Sequence, residues 1–416
     1  MRLRQTWLAT VASLLLGSAA LVGVAVAAGP TVRARAALAQ QCPESFPATR
    51  DASNPLDLPQ PPGANPLTGA RFFVDGPAHG IVAGAIARLV GLRPSRFSDR
   101  ESWASFKQRL DHGPLRRRLA RHRGLAFRVH ELEKIAAQPE VQRVSAFSRG
   151  GGPGAIFRQT QKLLCHNLTA DPGSIPILNT YFLHPAAGRC PSPGALTAAG
   201  AVFKRRVDEL AAALDRRPAV LLLEADAIGN SRCVQRAGSL SIWESYLSYE
   251  IGKLAALPHS VIYVEAGYSD ANPVAYTANV LNAIGVGRTR GFYTNDTHLN
   301  WTIKEVRWAT KVSERTGGAH FIVNTAQNGN GPLLNKHPRR QGIEDLCNPP
   351  HRALGPIPTT DTGFKLADAW LWTSTPGNSS GCGGGPPGGV FWTARAVTLA
   401  ARANGRLGPG FPSRPY

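Results

Sequence analysis

A parallel α/β fold follows from three features of the chain. The run Ala219–Leu223, Ala-Val-Leu-Leu-Leu, is apolar throughout, follows Pro218, precedes Gly229 and is too short to span a membrane. Such a run reads as a strand buried on both faces. The same motif, a short apolar run ending in polar residues, returns at 175–181, 261–267, 291–295 and 319–325. Stretches with helical spacing of apolar residues, 198–214 and 242–254, lie between. Strands alternating with helices in this way build a parallel sheet.

In chain order, Arg2 and Arg4 precede an uncharged apolar run over 6–28, with small-residue cleavage candidates at Ala25-Val26-Ala27 and Ala37-Leu38-Ala39. This predicts a secretory signal over 1–39, hence export, although the run would also suit an uncleaved membrane anchor. Residues 40–64, rich in Pro, Asn and Asp, read as an arm or linker, and 65–416 as one body acting as a monomer. In an exported chain the 6 cysteines predict disulfides. No Cys-x-x-Cys or His-Glu-x-x-His spacing occurs, so neither a metal site nor a cofactor is expected.

The formal net charge is +20 and comes mostly from arginine. Its densest block, 116–123, reads as one exposed helix face. On an exported protein that face suits an anionic wall polymer or membrane surface better than DNA, so no specific nucleic acid is expected; a solvated face with no partner is the other reading.

Chemistry is concentrated just beyond the central strand. Glu224 and Asp226, two apart in what reads as an extended segment, should face one side at the strand's C-terminal end, where parallel α/β folds collect their sites. A carboxyl pushed against an apolar strand end is suited to donate a proton near neutral pH. Equally, Asp226 could cap a following helix.

The segment from Glu224 to Asn230, Glu-Ala-Asp-Ala-Ile-Gly-Asn, resembles the Glu-Pro-Asp-Ser-Leu-Gly-Asn signature of glycoside hydrolase family 6, the inverting β-1,4-glucanases and cellobiohydrolases. Other matches follow in the family's order. They are the opening from Asn65 to Asp75, the helix end at 132–139, the Asn-Thr-Ala-Gln-Asn-Gly-Asn-Gly-Pro run from Asn324, Cys347-Asn348-Pro349-Pro350-His351-Arg352-Ala353-Leu354-Gly355, and Asp368-Ala369-Trp370-Leu371-Trp372. The likeness covers roughly 65–404. It implies a distorted, incompletely closed parallel β/α barrel, a β-glucan substrate, Asp226 as catalytic acid, and bridges Cys190–Cys233 and Cys347–Cys382, with Cys42 and Cys165 left to pair. It places Tyr181, Asn295 and His298 at the substrate, with Glu224 beside them making hydrogen bonds that position Asp226, and Trp370 is a candidate to line a subsite. Trp301 and Trp372 are further cleft candidates, although core burial is the simpler reading of Trp372.

The chain departs from the family where the second carboxylate is needed. Inverting hydrolysis requires a base roughly 6.5–9.5 Å from the acid. In the loop after Trp372 the family's Lys, Glu and proposed base Asp align with Ser374, Asn378 and Ser380. The Asp that tunes the acid aligns with Arg189, whose charge would hold Asp226 ionised if it faces that residue, an outward turn being the alternative, and Asn324, Gln327 and Leu346 replace a family Asp, Arg and Trp. Either another carboxylate supplies the base, with Glu265, Asp296 and Asp361 the nearest candidates on strand-end loops, or water reaches the sugar through a relay of polar groups. The rival expectation is a catalytically silent glycan-binding protein of the same fold. A third is an esterase through Ser379, suggested by Gly377-Asn378-Ser379-Ser380-Gly381; the Gly- and Pro-rich 382–389 that follows supplies no helix for that motif.

Overall fold

Seven parallel strands, β1 (Gln142–Ser145), β2 (Ile177–Tyr181), β3 (Ala219–Leu223), β4 (Ser260–Glu265), β5 (Gly291–Thr294), β6 (His320–Asn324) and β7 (Ala367–Leu371), pair in chain order. The sheet curls into a partial barrel wrapped by helices, with no pairing of β1 to β7 among the described strands, which is the incompletely closed barrel expected. The computed structural model describes residues 63–145, 152–183, 190–334 and 345–403, all within one compact unit, Pro47–Tyr416. The expected signal over 1–39, nearly all of the 40–64 arm, Cys42 and Arg189 lie outside the described residues. Among those described, no helix is long and apolar enough to cross a membrane.

Strand parity explains the layers. In β3, Ala219, Leu221 and Leu223 face the helices and join Phe203, Val207, Trp243 and Leu247, while Val220 and Leu222 face into the barrel with Leu67, Tyr263, Tyr293 and Ile322. Burial on both faces is why the strand is apolar at every position. A third cluster packs the N-terminal helices, through Phe106, Leu110 and Leu132, against Leu354, Trp372 and Val397. The opening motif runs beside the entry to β2, with Phe72 bridging Ile175 in parallel.

A register shift between β6 and β7 at Phe321/Ile322 alters which residues of β7 face inward. Asp368 and Ala369, adjacent in the chain, both serve the barrel interior, and Trp370 turns out to the helix layer. Trp370 is thus corrected from a sugar contact to a core residue, 7% exposed with Phe364 edge-on at 6.1 Å. Asp368, at the strand's N-terminal end, accepts from Tyr263 Oη (2.7 Å) and Arg290 Nε (2.7 Å) and pairs with His320 Nδ1 (2.9 Å). Burial pushes its carboxyl up, but these partners outweigh burial and hold it below the usual range. The arginine block is also not one face: it spans the helices Gly113–Arg121 and Arg123–Ala136, which break at His122.

Gly291 opens β5 where a Cβ would lie 1.8 Å from the His320 carbonyl oxygen. Gly291→Ala is therefore expected to lower stability by about 1–3 kcal/mol, read from urea unfolding midpoints.

Candidate active site

The C-terminal strand ends gather Tyr181 of β2, Glu224 and Asp226 after β3, Glu265 and Tyr268 of and after β4, Asp296 and Thr297 after β5, and Thr373 after β7. The chain leaves β3 through a turn, not an extended segment: Glu224 and Asp226 have φ of 51° and 62°. Such values are costly for non-glycine residues and persist only where the surroundings impose them. Here the Glu224 amide donates to Thr180 Oγ1 (2.9 Å), Trp243 Nε1 donates to the Ala227 carbonyl (3.2 Å), and the Ile228 and Gly229 amides donate to Glu265 Oε2 (2.7 and 2.9 Å).

The turn separates the two carboxylates that sequence spacing put on one side. Glu224 is fully buried and accepts from the Phe182 (2.9 Å) and Leu183 (2.7 Å) amides. It braces the end of β2 rather than touching a sugar or Asp226. Burial pushes its pKa up to about 7 against those backbone donors. Asp226 points the other way and is partly exposed. Its Oδ1 accepts from Tyr268 Oη and, at 2.8 Å, from Thr297 Oγ1; Oδ2 takes no hydrogen bond among the described residues. Asn230, not Asp226, holds the N-cap of the next helix, Ser231–Arg236.

Tyr268 was missed from the sequence. Burial first, then the charge of Asp226, pushes its phenol well above the usual range, so it stays a donor. The signal that could have found it is Gly229: a Cβ there would lie 2.6 Å from Tyr268 Cε2, so only glycine lets the ring pass to Asp226.

Asp296 is buried, 2% exposed. Its Oδ1 accepts from Thr373 Oγ1 (2.5 Å), whereas its Oδ2 is enclosed without a hydrogen-bond partner. Burial, then the charge of Asp226, pushes its pKa up to about 7, with Arg143 and Thr373 opposing. Asn324 fixes the surrounding loops by donating to the Asn295 (2.9 Å) and Asp296 (2.8 Å) carbonyls and accepting from the Thr373 amide (3.1 Å). The carboxylate of the family pattern could not donate to those carbonyls, a physical reason for asparagine here.

The other expected residues divide. Tyr181 stands half-buried at the rim, with the Arg143 guanidinium 4.8 Å from its ring centroid; burial, then the charge of Asp226, raises its phenol. His298 stacks on Tyr268 at 3.7 Å and pairs with Asp270 (2.9 Å). It therefore backs the residue that holds Asp226. Asn295 is corrected from substrate contact to loop staple: fully buried, it donates to the Asn300 (3.2 Å) and Asn324 (3.0 Å) carbonyls and accepts from the Asn300 amide (3.1 Å). Trp301 is 44% exposed and lies against Gly331.

Of the substitute bases, Glu265 spends both oxygens on backbone amides, Gly267 included (2.5 Å), and Asp361 is exposed on the loop entering β7, at the wrong end of the strand. Ser380 is exposed. Ser379 is 5% exposed and donates its hydroxyl to the Pro386 carbonyl (2.6 Å), which removes the esterase reading. The bridges Cys190–Cys233 and Cys347–Cys382 form, with Cα separations of 5.6 and 5.5 Å. Cys165 is also disulfide-bonded. Among the described residues no group of three or more His, Cys, Asp or Glu is placed to hold a metal.

A separate recess, lined by Asp75, Ile135, Glu140, Trp372 and Thr375, lies between the N-terminal helices and the loop after β7. Glu140 there accepts from the Ile81 amide (3.0 Å) and Thr375 Oγ1 (3.2 Å). Burial, then the charge of Asp75, pushes it up to about 8. The folded state thus keeps a proton that the unfolded chain releases near pH 4.5, and stability is lost as pH rises from about 4.5 to 8. Glu140→Gln should remove this dependence, its advantage over wild type growing from near zero at pH 4.5 to roughly 3–5 kcal/mol near pH 8, measured by urea unfolding across that range.

The sequence profile of glycosyl hydrolases family 6 matches residues 130–403. Endoglucanase A of Thermobispora bispora is 32% identical over 244 residues, 56% of this chain and 50% of that protein. Endoglucanase A of Cellulomonas fimi is 29% identical over 274 residues, 65% and 56% of the two chains. The chain thus spans about half the length of these curated relatives. Among solved structures, the endoglucanase Cel6 of Mycobacterium tuberculosis, in complex with methyl-cellobiosyl-4-deoxy-4-thio-β-D-cellobioside, superposes with a TM-score of 0.62 at 27% identity, covering 82% of this chain and 99% of that one. Endoglucanase CEL6B of Humicola insolens shares the fold at 18% identity, with a TM-score of 0.59 and coverage of 84% and 100%. With the ordered motifs, the open barrel and a profile match across most of its length, the chain belongs to glycosyl hydrolases family 6.

Proposed function

We propose that this chain hydrolyses β-1,4-linked glucan with inversion, using Asp226 as the proton donor. The observation that carries the proposal is the state of Asp226: it sits at the strand-end rim with Oδ1 engaged by Tyr268 and Thr297 and Oδ2 unengaged among the described residues. A proton on Oδ2 passes to the glycosidic oxygen as the bond from that oxygen to the anomeric carbon breaks. Water then adds to the opposite face and gives up a proton to a base. Export through the 1–39 signal, a catalytic body over 65–416, a monomeric state and contact of the exposed arginines with anionic wall polymer belong to the same proposal.

The second reading, a silent glycan-binding protein, is favoured by one observation: an exposed serine, Ser380, stands where the family carries its proposed base. Reducing-end release from soluble β-1,4-glucans, wild type beside Asp226→Ala, with glucan binding measured separately, decides between them. Release abolished by the substitution supports the hydrolase. Binding without release from any glucan supports the silent reading.

A further inference from the structure

One charge at the rim has no part in the hydrolysis of a neutral glucan. Val144 of β1 packs into the helix layer, so Arg143 before it faces the barrel interior, in register with Asn179 of β2. The same face of β2 carries Tyr181 two residues further on. Arg143 is exposed, and its guanidinium stands 4.8 Å from the Tyr181 ring centroid. The Tyr181 phenol feels the charge of Asp226 and that of Arg143, which follow its two neighbouring strands, so the rim reads Arg143, Tyr181, Asp226 in strand order. Asp296 feels Arg143 too, but it is enclosed, 2% exposed. Among the described residues the Arg143 guanidinium enters no hydrogen bond or ion pair. The ring contact steadies the side chain and uses none of its fork of N–H donors.

We infer that Arg143 makes this cleft select an acidic β-1,4-glucan, one whose sugars carry carboxylates, by binding a carboxylate beside Tyr181. The inference rests on the reading of the rim as the site that holds glucan. The hydroxyls of a neutral sugar need no cation, whereas a steadied guanidinium matches the two oxygens of a carboxylate with parallel N–H bonds. In a 1,4-linked glucan, C6 is the carbon that can become a carboxylate with the ring and the linkages intact, so the class is a chain containing glucuronate. The surroundings agree. The loop after β6, over 324–334, and the whole of 369–416, which includes the loop after β7, contain no Asp or Glu. An acidic chain laid along the rim therefore meets no like charge from those segments. The formal net charge of +20 also draws such a chain toward the protein. Asp226 lies on the far side of Tyr181, two strand spacings or about 10 Å across the sheet, which keeps a carboxylate at Arg143 clear of it.

The test is calorimetric binding of three tetrasaccharides to the full chain at pH 7 and low salt: cellotetraose, the β-1,4-linked tetramer of glucuronate, and 6-O-sulfated cellotetraose. All measurements are made in an Asp226→Asn background, so no turnover intervenes and the result stands whether or not the wild type cuts glucan. The glucuronate tetramer is expected to bind about tenfold more tightly than cellotetraose. In Arg143→Gln that advantage should fall to about twofold or less, with cellotetraose affinity unchanged within a few-fold; Arg143→Lys, which keeps the charge without the fork, should retain part of it. Equal affinities for the two tetramers before Arg143 is changed overturn the inference. An advantage that survives Arg143→Gln comes from the general pull of the basic surface and also overturns it. Tighter binding of the sulfated tetramer than of the glucuronate tetramer overturns the assignment to a carboxylate. Cellotetraose that binds with no preference for the acidic chain sinks this inference alone, whereas failure of all three to bind sinks the glucan-holding site with it.

Discussion

Replacing Asp226 with asparagine should lower glucan hydrolysis by about 10²–10⁴-fold in kcat, with binding held within a few-fold. The amide oxygen can still accept from Tyr268 and Thr297, so the turn keeps its support. What disappears is the proton available to the leaving oxygen. The loss should shrink for an aryl glycoside whose leaving group needs no protonation. Reducing-end release and aryl release, measured on the same preparations, check both parts. Equal losses on the two substrates would mean that Asp226 serves some role other than the acid.

Glu265→Ala should cost about 3–5 kcal/mol of stability, because three buried backbone donors, at Ile228, Gly229 and Gly267, lose their acceptor together. Two of them belong to the turn that carries Asp226, so turnover should fall as well. Glu265→Gln keeps one acceptor oxygen and should lose less. Urea unfolding of the three proteins at one pH orders them. Equal stability of Ala and wild type would refute the brace.

Strands were legible because burial on both faces writes itself into the sequence, and Ala219–Leu223 is the clearest case. The site was legible in part. Asp226 could be found by its motif, whereas its hydrogen-bond partner Tyr268 is announced only indirectly, by the glycine at 229 that leaves room for the ring. Trp370 was placed on the wrong face because a single register shift reverses parity, and nothing in Asp-Ala-Trp-Leu-Trp signals it. Asn295 looked like a ligand contact for a related reason. A polar residue at a strand end can face substrate or tie down a loop, and its left-handed φ of 67° and two carbonyl acceptors are visible only once the chain is folded. Asp296 could be nominated from position, but its enclosure beneath Thr373 depends on β7 docking two strands further along the sheet.

The sheet's spatial order is also its order along the chain. Each strand emerging during synthesis finds its neighbour already laid down, so growth can proceed from β1 by accretion, with no early strand waiting as a bare edge for a late one. Parallel pairing is otherwise slow and prone to misassembly, because loop closure precedes the reward. Here each closure spans a single crossover. The rim that carries Asp226 is therefore half built when β4 docks, and β7, delivering Thr373, is the last strand to arrive.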